Sequence, residues 1–116
     1  MALFWLQSAP YIPNKPPVVN ITNPPDGAVA YLAYIRAIIE VEADASDDDG
    51  EVVKVEFFAN ESKIGEDNDG TDGWKTNWQD HPIGVYSLTA RATDNDDAET
   101  TSTPVEITLD EGGGPP

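Results

Sequence analysis

From Ala37 to Ala59 the chain reads AIIEVEADASDDDGEVVKVEFFA, two alternating apolar segments on either side of an acidic turn, Asp44 to Gly50. On the first arm Ile35, Ala37, Ile39, Val41 and Ala43 share one parity, while Arg36, Glu40, Glu42 and Asp44 take the other. On the second, Val53, Val55, Phe57 and Ala59 alternate with Lys54, Glu56 and Phe58. A period of two makes a strand with one buried and one wet face, and the β-branched and aromatic content suits that state. The stretch predicts a hairpin-like pair to which the rest of the chain can be referred.

Upstream, SAPYIPNKPP carries four prolines between Ser8 and Pro17, which removes ladder donors and makes a stiff, extended linker. Val18 to Thr22 predicts a first strand, closed by the turn cluster Asn23-Pro24-Pro25-Asp26-Gly27. Ala28 to Tyr34 then leads into the strand described above. Beyond Ala59, the brief segment Lys63-Ile64-Gly65 returns as a hairpin. A second acidic loop, EDNDGTDG from Glu66, precedes a strand on which Trp74, Thr76 and Trp78 share one parity. After the turn at 80–84, Tyr86, Leu88, Ala90 and Ala92 point inward. A third acidic loop, Asp94-Asn95-Asp96-Asp97, then leads to Val105, Ile107 and Leu109 on a last core face. Seven short strands about ten residues apart, with no helical period, predict an all-β fold: a seven-stranded antiparallel two-sheet β-sandwich. The divisions expected are a remnant and linker over 1–15, the sandwich over 16–110 and a Gly/Pro linker over 111–116.

A chain of 116 residues is one domain of ordinary size, able to bury about two thirds of its unfolded surface without staples. It has no cysteine, which excludes thiol catalysis, cysteine–zinc sites and disulfide-rich scaffolds without assigning a compartment. Six basic against 22 acidic residues give a net charge of -16, which repels nucleic acid and anionic membranes and favours cations or basic partners. No apolar run approaches the ~20 residues of a membrane span. Ala2-Leu3-Phe4-Trp5-Leu6 is too short and lacks the basic flank of a signal peptide, and it reads as the tail of something upstream.

The runs PPVVNITNPPDGA, EVVKVEFFAN after Asp49-Gly50, the Trp-containing strand and GVYSLTARATDNDDAETTS together resemble the bacterial immunoglobulin-like modules that serve as repeats or spacers in secreted polysaccharide-degrading enzymes and surface adhesins. The resemblance covers residues 16 to 110 and places Tyr86 where such sandwiches carry a tyrosine corner. It implies a secreted or cell-surface, multidomain setting, with neighbouring domains of the same polypeptide as partners, no membrane insertion and a monomeric isolated domain. The acidic loops go beyond the family pattern.

Those loops, 44–51, 66–72 and 94–99, are expected at one end of the sandwich beside the entering linker, and hold 13 of the 22 acidic residues in 21 positions. Crowded carboxylates raise one another's pKa unless a cation intervenes, and calcium takes six to eight oxygens of the kind that Asp/Asn/Gly loops supply. The expectation is one calcium site from Asp44, Asp47, Asp49, Asp94 and Asp96 and a second from Asp67, Asp69 and Asp72, stiffening the joint to whatever precedes. No loop matches the EF-hand pattern, and solvated acidic loops that keep a secreted module soluble are the plainer reading.

Other candidates carry less. Trp74 and Trp78 could stack on a carbohydrate, although two indoles on one parity more often belong to a core. His81 has no Ser or Cys partner for a triad, and short loops leave little room for a glycosidase cleft. Lys54 sits on the outward parity, away from where an intramolecular crosslink would form. Asn20-Ile21-Thr22 and Asn60-Glu61-Ser62 match glycosylation sequons that mean little in a bacterial protein. The leading expectation is therefore a non-catalytic spacer or presentation module, and the alternative is a carbohydrate-binding or adhesion module.

Overall fold

The structure, a computed structural model, describes residues 13–31, 38–79 and 82–112. The expectations on residues 2–6, on Ile35, Arg36 and Ala37 and on His81 lie outside the described residues. Two sheets face each other. One has three strands: β1 (Val18–Asn23), β3 (Ile38–Ser46) and β6 (Trp74–Gln79), in the order β1-β3-β6. The other runs β2 (Ala28–Tyr31), β9 (Val105–Asp110), β7 (Gly84–Asp94), β4 (Val52–Ala59), β5 (Ser62–Asp67), with the short β8 (Glu99–Thr101) also on β7. The alternation read from the sequence sets this arrangement. Ile39, Val41, Ala43 and Trp78 from the small sheet meet Val55, Phe57, Leu88, Ala90, Ala92, Ile107 and Leu109 from the large one in a single buried core.

Three departures from the sequence reading have local causes. Among the described residues there are nine strands, not seven, because Ala28–Tyr31 does not simply run on into β3. It crosses to the other sheet and lies parallel to β9, so the sandwich is not wholly antiparallel. The turn before it is hooked to β9: Asp26 Oδ1 accepts the Glu106 N–H at 2.8 Å and Gly27 N–H donates to the Glu106 carbonyl at 2.9 Å. Glu99–Thr101 is the second added strand, paired with Arg91 to Thr93. The third departure is Val53, expected inward but 43% exposed. A register shift between Val52 and Lys54 against β7 inverts the parity at this one point, so that Val52 packs on the core instead.

Two contacts lock the sandwich. A Cβ at Gly65 would run into the side chain of Thr76, so β5 and β6 close one flank because residue 65 has none. Tyr86 Oη donates to the Pro82 carbonyl at 2.7 Å, and its ring meets Trp78 edge-on with centroids 4.9 Å apart, which is the tyrosine hook expected at the start of β7.

Candidate functional site

The alternating strands bring the first and third acidic loops together at one end, and the entering chain with them. Asn95 Oδ1 accepts the Glu51 N–H at 2.9 Å and Asn95 N–H donates to the Glu51 carbonyl at 3.0 Å, so the two turns interlock. Gly50 makes this possible, since a Cβ there would collide with the Asn95 side chain. Below them Asp94, the last residue of β7, is completely buried at 0% exposure. A buried charge persists only when hydrogen-bonded, and Asp94 is. Oδ1 accepts the N–H groups of Asp96 at 2.9 Å and Ala98 at 2.8 Å, and Oδ2 accepts Asn14 Nδ2–H at 2.7 Å. The Asn14 amide and these backbone donors hold the Asp94 carboxyl below its usual range against the opposing effect of burial.

Two further carboxylates join it. Asp49 Oδ2 accepts the Lys15 N–H at 2.8 Å, and that bond is the first cause of its lowered pKa. Asp47 lies against both Asp49 and Asp94. Its Oδ1 accepts the Asp49 N–H at 3.3 Å, and its Oδ2 is sealed from solvent without a hydrogen-bond partner. Burial first, then the neighbouring carboxylates, push Asp47 up to about 6. A carboxyl whose folded-state pKa is raised above the ordinary 3.8 holds its proton better folded than unfolded, so its contribution to stability falls as pH rises through that window. Asp47→Asn in EDTA is therefore expected to raise Tm at pH 7.5 and to change it little at pH 5, because an uncharged side chain already sits there in acid. A lower Tm at pH 7.5 would contradict this.

Of the proposed ligands, the fold gathers Asp47, Asp49 and Asp94 only. Asp44 stands in β3 opposite Asn20 on an exposed face, and the Asp96 side chain is exposed while its backbone serves Asp94. In the second set Asp67 accepts the N–H groups of Asp69 and Lys75, Asp69 caps the one-turn 3-10 helix Gly70–Asp72 through Thr71, and Asp72 is exposed. Among the described residues no group of three acidic or histidine side chains is arranged to hold a metal ion. The chemistry of the donors explains it, because backbone and amide N–H groups already occupy lone pairs a cation would need. The orphaned Asp47 Oδ2 is the exception.

Trp78 is 5% exposed, its indole part of the core, and Trp74 packs partly against that core while bordering a shallow depression of about 560 Å³ between the first two acidic loops. Lys54 lies on the outer face as expected, in register with Thr93. On the same face the sequence reading passed over a network in which buried Glu56 pairs with Arg91 at 3.0 Å and Lys63 at 2.9 Å. It also passed over Asn14, Lys15 and Asn95. The available signal was an amide and a free backbone N–H set among prolines, upstream of loops rich in acceptors and poor in donors.

Two packed sheets with a tyrosine hooked at the start of β7 have the architecture of an immunoglobulin-like module. The chain belongs to the bacterial Ig domain family, whose model matches residues 17–112. Among solved structures it is similar to the fibronectin(III)-like modules of Clostridium thermocellum CbhA, with 22% identity and a TM-score of 0.72, over 84% of this chain and 100% of that one. It is also similar to the PKD1 domain of Vibrio anguillarum Epp, with 19% identity and a TM-score of 0.60, over 84% of this chain and 98% of that one. These likenesses concern the fold. No curated protein sequence matches the chain.

Proposed function

We propose that the chain is a non-catalytic spacer or presentation module of a secreted or cell-surface bacterial protein, setting the distance and direction between its neighbours. The observation that carries this reading is the placement of the chain's two ways in and out. The chain enters at the acidic end beside Asp94, and β9 leaves at the opposite end, where Leu109 pairs with Gly84 at the start of β7. β7 has eleven residues and spans about 33 Å, so neighbours would be strung in line at that spacing. The setting implied by the resemblance, a secreted polysaccharide-degrading enzyme or a surface adhesin, fits such a bead, and Tyr86, Phe57 and the interlocked loops supply its stiffness. Affinity electrophoresis through soluble polysaccharides tests the reading. Unretarded migration is expected, and retention would favour the carbohydrate-binding alternative.

A second reading adds calcium at the acidic end, favoured by the sealed, unpartnered Asp47 Oδ2 between two other carboxylates. Asp47, Asp49 and Asp94 would hold it, after some of their present N–H donors had moved aside. The ion would supply the positive charge that this end lacks. A melt in EDTA and in millimolar calcium, with magnesium at matched ionic strength, decides it: a bound ion at 100 times its dissociation constant adds about 2.7 kcal/mol and several degrees. Equal effects of the two ions would show that the acidic end has no calcium site.

A further inference from the structure

The family match begins at residue 17, yet the hydrogen bonding of the fold begins earlier. Asn14 reaches across 80 positions of sequence to Asp94, and the Lys15 backbone reaches across 34 to Asp49. We infer that residues 14–17 are a strap, folded as part of the module and held by its acidic end, so that the direction of entry is fixed by named side-chain contacts and not only by proline stiffness. The inference rests on the spacer reading and supplies its joint.

The chemistry explains why these residue types stand here. The acceptor at Asp94 Oδ2 lies at a fully buried carboxylate, and a donor to an ionised group makes a bond about twice as strong as a neutral pair. Asparagine supplies that donor without a charge to desolvate, in a half-buried position that suits an amide. Position 15 must keep its N–H for Asp49, which a proline could not do, and the regular spacing of Pro10, Pro13 and Pro16 leaves Asn14 and Lys15 as the non-proline pair that carries both donors. The flanking prolines lower the entropy lost when the strap docks, because fewer conformations are open to it when free. Pro17 is itself buried and leads directly into β1. The two anchors hold different loops, Asp49 on the first and Asp94 before the third, so the strap bridges the interlocked turns.

Amide hydrogen exchange and 15N relaxation on the full chain test this. The Lys15 amide is expected to be protected and to show the order of β1 amides, and Asn14→Ala is expected to reduce its protection about tenfold or more, since one charge-assisted bond is lost. Asn14→Asp, which sets a carboxylate against Asp94, should reduce it further, with the strand amides of both variants unchanged. A Lys15 amide as mobile as a free tail in the wild type, or unaltered by both substitutions, overturns the strap. Loss of order throughout β1 and β7 in the variants would also overturn it, since Asn14 would then support the sandwich and not the entry. Failure here leaves the opposite placement of entry and exit, and with it the spacing of neighbours, standing, while the direction of entry would no longer be fixed by the strap.

Discussion

Phe57→Ala is expected to cost about 4 kcal/mol and to lower Tm by about 20 °C in a domain of this size. Phe57 is 0% exposed at the centre of β4, the strand that lies between β5 and β7 in the large sheet. Its ring faces the small sheet, and no neighbouring strand can collapse into the space without breaking ladder bonds on both sides. The parity of β4 can be checked in the same series. Because of the register shift, Val52→Ala should destabilise measurably, whereas Val53→Ala should stay within about 0.5 kcal/mol of wild type. Chemical denaturation of the three variants measures this, and a larger loss at Val53 than at Val52 would show that the strand continues unbroken.

Asp94→Ala is the second large effect. It leaves the N–H groups of Asp96 and Ala98 and the Asn14 amide without their acceptor, and a Tm loss of about 10 °C is expected. Asp94→Asn separates the two jobs of the carboxylate. Its amide oxygen can still serve the 95–98 turn, but its NH2 replaces the charged acceptor that Asn14 Nδ2–H meets, so the loop holds while the charge-assisted bond to the strap is lost. The pH dependence has a definite sign. A carboxyl whose folded pKa is depressed stabilises above its ordinary 3.8, and that contribution disappears as pH falls through the depressed value. The gap between wild type and Asp94→Asn should therefore be full at pH 6 and close in strong acid. A gap that widens in acid would mean that Asp94 is not ionised in the fold.

What the sequence could and could not disclose follows from the range of each interaction. Alternation is local, and it placed Ile39, Val41 and Ala43, then Leu88, Ala90 and Ala92, then Ile107 and Leu109 correctly on the core side, because each side chain's face depends on its own strand's pleat. Val53 failed where the partner strand, not the local pattern, imposed a bulge. From sequence alone β2 looks like a lead-in to β3, because the hooks that hold it to β9, Asp26 and Gly27 on Glu106, lie about 80 positions apart. At the acidic end, the spacing of acids does not say which side chains meet, and of the eight candidates the fold gathers Asp47, Asp49 and Asp94. An Asp in a turn serves backbone N–H groups as readily as a cation, and Asp67 and Asp69 show that use. Asn14 and Lys15 stand out in the sequence only as donors among prolines, and their partners, 80 and 34 positions away, are set by the fold.

The central claim, that this module holds its neighbours in line, is tested most directly by fusing a rigid, fluorescently labelled reporter domain ahead of residue 13 and recording its anisotropy decay in the intact fusion. A single slow correlation time is expected, that of reporter and sandwich tumbling as one body. A fast component matching the reporter alone on a free tether would contradict it.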